Sequence, residues 1–234
     1  MADVRAILLD IEGTTTPIAF VSDVLFPYAR AHFREYLLAA PDAGLIDLLK
    51  HEWRDDAARG GAPTFSERSV DDLAAYVEWL MDRDRKSTGL KRLQGLVWQR
   101  GYRDGELKGD VFDDVPPALE RWRARGVDVA IYSSGSVLAQ QLLFSTTPYG
   151  DLTKHISNFF DTSSGAKASP ESYARIAAAL ERSTGQMLFV SDVTAEVDAA
   201  RSAGCQVALS VRPGNAAQHV PEGVRVVHTF EELL

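Results

Sequence analysis

The chain has 234 residues, 45% of them hydrophobic and 25% charged, the balance of a soluble globular protein with one substantial domain or a core carrying an insertion. A net charge of −8 argues against a protein that tracks a nucleic-acid backbone, although a local metal and lysine can still hold a phosphorylated small molecule. The single cysteine, Cys205, excludes an intramolecular disulfide and fits a cytoplasmic setting. No apolar run nears the ~20 residues of a membrane span, and no signal peptide is evident, so neither membrane nor nucleic acid is expected as a partner.

In chain order, "VRAILLD" (4–10) is a short continuous apolar run, the pattern of a strand covered on both faces. It ends in two acids, Asp10 and Glu12, followed by Gly13 and three threonines. On extended backbone i and i+2 side chains share a side, and like charges that close call for a cation between them. From about Phe20 to Asp114 the pattern turns helical, with four amphipathic segments, the third opened by a capping box of Ser69 and Asp72. Trp53, Trp79 and Trp98 fall at apolar helical positions and read as packing. Strand-like runs return at "VDVAIYSS" (127–134), "QMLFVSD" (186–192) and "CQVALSV" (205–211), with a weaker "VRVVHT" (224–229). Helical patterns at 137–145, 170–183 and 194–204 alternate with them, the last ending in Gly204. Cys205 reads as a buried packing residue. The expected fold is an α/β doubly wound parallel sheet, residues 1–19 and 115–234, with a helical cap, 20–114, inserted after the first strand.

Ligands of parallel α/β sheets bind beyond the carboxyl ends of the strands. Those ends carry Asp10 and Glu12, then Ser133, Ser134 and Gly135 before a helix, then Asp192 with Glu196 and Asp198 just after it. Lys167 lies in a Gly/Ser-rich loop that enters a helix at Pro170. Oxygen ligands with open positions suit Mg²⁺, which keeps waters and takes a phosphate oxygen. One carboxylate can attack phosphorus while a second acid protonates the leaving oxygen and later activates water. Hydroxyls, backbone amides and a lysine stabilise the phosphoryl oxygens. The five histidines, 32, 51, 155, 219 and 228, never fall at zinc-motif spacing and are assigned no metal.

Asp10-Ile11-Glu12-Gly13-Thr14, the serine ending "VAIYS", Lys167 and "SDVTAE" together resemble the four ordered motifs of the haloacid-dehalogenase-like phosphohydrolases. Most phosphatases of that superfamily have Asp where this chain has Glu12. "DIEGTTTPI", "YSSGS", "GDLTKHISNFFDT" and "FVSDVTAEVDAA" more closely resemble the enolase-phosphatase (acireductone synthase) family of methionine salvage, from about Val4 to Leu234. The resemblance implies Asp10 as nucleophile and Mg²⁺ ligand, and Glu12 as acid/base that reaches the metal through its carboxylate or backbone carbonyl. It implies Asp192 as a further ligand, Glu196 as its support, Ser133, Ser134 and Gly135 as substrate-binding, and Lys167 on the phosphoryl group. One Mg²⁺ per subunit and a monomer are implied. The substrate implied is 2,3-diketo-5-methylthiopentyl 1-phosphate, enolised and then dephosphorylated to an acireductone. Another small-molecule phosphatase of the superfamily is the alternative, then a non-catalytic metal- and phosphate-binding module. A dehalogenase is disfavoured because its chemistry needs no metal.

Overall fold

The structure, a computed structural model, describes residues 3–39, 42–64 and 70–234. It divides into two compact units, Met1–Val21 with Lys108–Leu234, and Ser22–Leu107. Residues beyond Lys108 join the first unit because their backbone is tied into it. Thr16 Oγ1 donates to Asp110 O (2.8 Å), Phe112 N–H to Thr15 O (3.0 Å) and Gly109 N–H to Thr146 O (3.2 Å).

The first unit is built on a six-stranded, wholly parallel sheet in the order β3-β2-β1-β4-β5-β6. The strands are β1 (Ala6–Leu9), β2 (Asp128–Tyr132), β3 (Asn158–Phe160), β4 (Met187–Ser191), β5 (Gln206–Ser210) and β6 (Arg225–Val227). Central β1 has every residue buried, which is why its sequence does not alternate. Ala6 stands opposite Asp128 on one side and Met187 on the other, so β1, β2 and β4 end level with one another.

Helices α7 (Pro170–Ala179) and α8 (Thr194–Ser202) cover the face that carries Leu8, Ala130, Tyr132 and Phe189, with Tyr173 and Ile176 in the same cluster. Ile7 and Leu9 point to the opposite face by the strand's period of two and are equally buried. There α5 (Val115–Ala124) packs against β2, its Trp122 fully buried and 5.4 Å from the Phe230 ring. A further helix, α6 (Val137–Ser145), follows β2.

Several boundaries differ from the sequence expectation. The helix expected over 170–183 stops at Ala179, because the chain turns through a left-handed Glu181 (φ 56°) into a capped 3₁₀ turn at Ser183. Gly204 sits just past α8 at φ 90°, and Cys205 N–H reaches back to Ala200 O (3.0 Å), a glycine-terminated helix end. Cys205 is buried in the α7/α8 layer, and burial pushes its thiol up to about 12. Strand β3 and helix α5 were not anticipated as separate elements.

The second unit holds four helices, α1 (Phe26–Ala39), α2 (Ala43–Arg59), α3 (Val70–Asp82) and α4 (Thr88–Arg103), preceded by a π-helical turn at Phe20–Leu25. Their apolar stripes share a core that includes Phe33, Leu45, Leu49, Tyr76, Leu80, Leu93 and Val97. Trp53 and Trp79 pack against that core, and Trp98 Nε1–H donates to Leu25 O (2.7 Å), so the tryptophans are structural here. Ser69 of the expected capping box lies outside the described residues. Among those described, no helix is long and apolar enough to cross a membrane.

Candidate active site

At the end of β1 the extended backbone gives way sooner than the i, i+2 reasoning assumed. The ladder continues through Asp10 N–H to Val190 O (3.0 Å), and the chain then winds tightly, with Thr14, Thr15 and Thr16 N–H all donating to Ile11 O. Asp10 is therefore buried, while Glu12 is carried to the solvent-open rim. The threonine run fills the inside of this turn. All three threonines are fully buried, and Thr15 Oγ1 donates to Asp10 O (3.1 Å). Gly13 is required by two facts. Its φ is 69°, and a Cβ there would stand 2.4 Å from Asp192 Oδ2.

Lys167 reaches the same point from the loop before α7. Its Nζ lies 2.6 Å from Asp10 Oδ1 and 2.7 Å from Glu196 Oε2. The loop is held by three hydroxyls on three successive carbonyls. Tyr132 OH donates to Gly165 O (2.8 Å), Ser172 Oγ to Ala166 O (2.8 Å) and Tyr173 OH to Lys167 O (2.6 Å). Ser191, the last residue of β4, closes the group from beneath. Its hydroxyl lies 3.0 Å from Asp10 Oδ2 and 2.9 Å from Glu196 Oε2, and accepts the Val193 N–H.

Asp10, Glu12, Ser133, Ser134, Lys167, Asp192 and Glu196 thus line one pocket of about 270 Å³, within the first unit. Gly135 is not among its lining residues: its N–H is turned onto Ser133 Oγ (3.1 Å), and its carbonyl accepts from Gln140 Nε2 (2.8 Å). Asp198 pairs with Arg201 on the exposed side of α8.

Four carboxylates around one lysine leave an excess of negative charge. Burial, with Asp10 and Glu196 adding to it against Lys167, pushes the Asp192 carboxyl up to about 7. Burial and Asp10 likewise raise Glu12 although its side chain opens to solvent, and raise Glu196. Burial opposes the charge on Lys167, but Asp10 and Glu196 outweigh it and hold the ammonium above its usual range. Oxygen donors with surplus negative charge fit a hard divalent cation. Among the described residues, no three His, Cys, Asp or Glu side chains are drawn together into a ready cage.

Residues 4–204 match the model of the haloacid dehalogenase-like hydrolases. Enolase-phosphatase E1 of Synechococcus elongatus is 48% identical over 234 residues, covering 98% of each chain. The chain belongs to the enolase-phosphatase E1 family. A Populus trichocarpa protein, described as a probable bifunctional methylthioribulose-1-phosphate dehydratase/enolase-phosphatase E1, is 48% identical over 98% of this chain but only 47% of its own length. The UTR4 protein of Saccharomyces cerevisiae, a solved structure, aligns with a TM-score of 0.78 at 35% identity over 98% of this chain and 100% of that one. At 16% identity, CbbY of Rhodobacter sphaeroides shares the fold with a TM-score of 0.62, over 98% of this chain and 96% of its own.

Three further residues around the β1 turn were not evident from the sequence. Ser191 hid in the strand it terminates, one position before Asp192, and a hydroxyl ending an otherwise apolar run was the available signal. Arg212 is buried, stacks on Phe112 and Phe230 (4.7 and 4.6 Å), pairs with Asp114 (2.9 Å) and donates through Nε to Thr14 O (3.2 Å). Asn215 Nδ2 donates to Gly13 O (2.9 Å). Both belong to "VRPGN", a turn whose polar character reads as surface until the loop folds back on the β1 turn.

Proposed function

We propose that the chain enolises 2,3-diketo-5-methylthiopentyl 1-phosphate and then removes its phosphate, releasing an acireductone. Asp10 is the nucleophile, Glu12 the acid and base, and Lys167 with Ser133 and Ser134 the cradle for the phosphoryl oxygens. Mg²⁺ would be held by the carboxylates of Asp10 and Asp192 and by the main-chain carbonyl of Glu12, which would leave the Glu12 side chain free for proton transfer. When bound, Mg²⁺ supplies Lewis-acid polarisation of carbonyl and phosphoryl oxygens and offsets the charge of the site. The helical unit acts as the cap.

The observation that carries this reading is the buried Asp10–Lys167–Glu196 group beside a raised, solvent-reaching Glu12. Lys167 and Ser191 orient the Asp10 carboxylate, which attacks phosphorus as the bond from phosphorus to the enol oxygen breaks. Glu12, held protonated more readily than an ordinary carboxyl, gives its proton to that departing oxygen. It then takes a proton from water, whose oxygen attacks the aspartyl-phosphate, freeing Asp10 and inorganic phosphate. Lys167 faces the charge that builds on the phosphoryl oxygens in both steps.

Asp10→Asn tests the assignment. With Mg²⁺ saturating, the variant is expected to form the enol phosphate and stop, seen as an enone absorbance that rises and persists and as exchange of C1 hydrogen with solvent deuterium. Phosphate release at the normal rate would remove Asp10 as nucleophile.

A further inference from the structure

We infer that Asn215 is a positioning residue for the cation: its amide oxygen holds a metal-bound water beside Asp192, an inference that rests on the Mg²⁺ reading above. Asn215 Nδ2 donates to Gly13 O at 2.9 Å and lies 3.5 Å from Ser210 O. Both neighbours are acceptors, so the amide cannot be turned over without setting oxygen against oxygen. Oδ1 is thereby aimed away from them, and it is buried with no protein hydrogen-bond partner. A buried amide oxygen of fixed direction is normally paired, with protein or with water.

Gly13 shows where that oxygen points. A Cβ built on Gly13 would meet Asp192 Oδ2 at 2.4 Å and Asn215 Oδ1 at 3.0 Å, so the two oxygens flank the same side of one glycine. Two acceptors on one side of a residue without a side chain are satisfied together by a donor with two protons. Water polarised by a divalent cation is such a donor, and Asp192 is a proposed ligand of that cation. The position of Asn215 is set by the buried anchor three residues earlier: its N–H donates to Arg212 O (3.1 Å), and Arg212 is tied to Thr14 O and Asp114. The loop after β5 thus presents an oxygen to the β1 turn at a fixed place.

Isothermal titration of the EDTA-stripped full chain with Mg²⁺ alone tests this, independently of turnover. Asn215→Ala is expected to weaken Mg²⁺ binding about 10–100-fold, the usual effect of losing a partner behind the ligands. Ser210→Ala is the control, because Ser210 Oγ also donates to Gly13 O (3.3 Å) but has no part in the Oδ1 arrangement; its affinity should match wild type. Wild-type affinity in Asn215→Ala, or equal weakening in both variants, overturns the inference and leaves Asn215 as a strut for the Gly13 loop. Should Asn215→Ala not fold, the near-isosteric Asn215→Leu carries the test in its place: the same weakening is expected, and wild-type Mg²⁺ affinity overturns the inference. If wild type itself binds no Mg²⁺, the inference falls together with the metal reading, whereas the preceding failures leave that reading intact.

Discussion

Lys167→Met removes one positive charge from among Asp10, Glu12, Asp192 and Glu196 while keeping most of the buried chain length. In the structure its Nζ stands 2.6 and 2.7 Å from two carboxylates, and its side chain is 11% exposed. At those separations each pair gains roughly 6 kcal/mol of Coulomb energy at an effective dielectric near 20, much of it offset by desolvation. Breaking such a buried pair costs about 3–5 kcal/mol, and at about 2–4 °C per kcal/mol the melting temperature should fall on the order of 10 °C. The loss should depend on pH with a definite sign. Lys167 lowers Glu12, Asp192 and Glu196, so without it their folded-state values rise further above the unfolded ones. Raised acids bind protons in the folded state, so the penalty is small below the unfolded carboxylate range, near pH 4, and grows as pH rises through the folded values. Metal-free melts at about pH 8 and pH 5 therefore should show the larger loss at pH 8. Equal, small losses at both values would refute the electrostatic reasoning and return Lys167 to an ordinary packing role. Turnover in the same variant should fall roughly 10²–10³-fold, the usual cost of one lost electrostatic contact to the transition state.

Asp192, at about 7 in the metal-free protein, must lose a proton to take a cation, so Mg²⁺ affinity should rise about tenfold between pH 6 and 8 and level off above; a flat titration series would contradict this. Gly13→Ala drives a methyl group onto the Asp192 carboxylate from a left-handed backbone, and should abolish measurable Mg²⁺ binding in calorimetry while circular dichroism keeps its helical signal. Tyr173→Phe frees the Lys167 carbonyl from its hydroxyl partner, and should lower kcat with little change in KM, because the loop keeps its other two hydroxyl ties. A change confined to KM would place Tyr173 in substrate binding instead.

What the sequence could reveal followed the strength of local pattern. β1 and β4 are fully buried four- and five-residue runs, and both were legible because parallel strands covered on two faces leave no polar alternation to confuse them. β3 has three residues, too few for any periodicity, and its neighbour β2 recruits it through register rather than composition. α5 opens with Val115, Pro116 and Pro117, and gave no separate signal in the sequence although prolines are tolerated in a helix's first turn, where N–H groups lack partners anyway. At the site, Asp10, Glu12, Ser133, Ser134, Lys167 and Asp192 announced themselves by standing at strand ends or in a glycine-rich loop. The extended-backbone reason given for Asp10 and Glu12 left out the turn at Ile11: both carboxylates still line one pocket, but Asp10 is buried and Glu12 stands at its rim. Ser191, Arg212 and Asn215 meet the β1 end through partners 181, 198 and 202 residues away in the chain, and no local pattern encodes that.

The burial of Asp10 in the middle of the sheet also sets an order of assembly. Ser191 and Asp10 are 181 residues apart, and β1 finds its two neighbours only in β2 and β4. Such distant pairings are slow to form because long loops must close before any contact rewards them. On the ribosome Asp10, the proposed nucleophile, emerges early, but Lys167, the Ser191 hydroxyl and the Glu196 carboxylate around it all come from the last third of the chain. A nascent or truncated chain ending before β4 carries Asp10 without Ser191, Asp192 and Glu196, so the proposed catalytic competence should switch on late, as the central strand is enclosed.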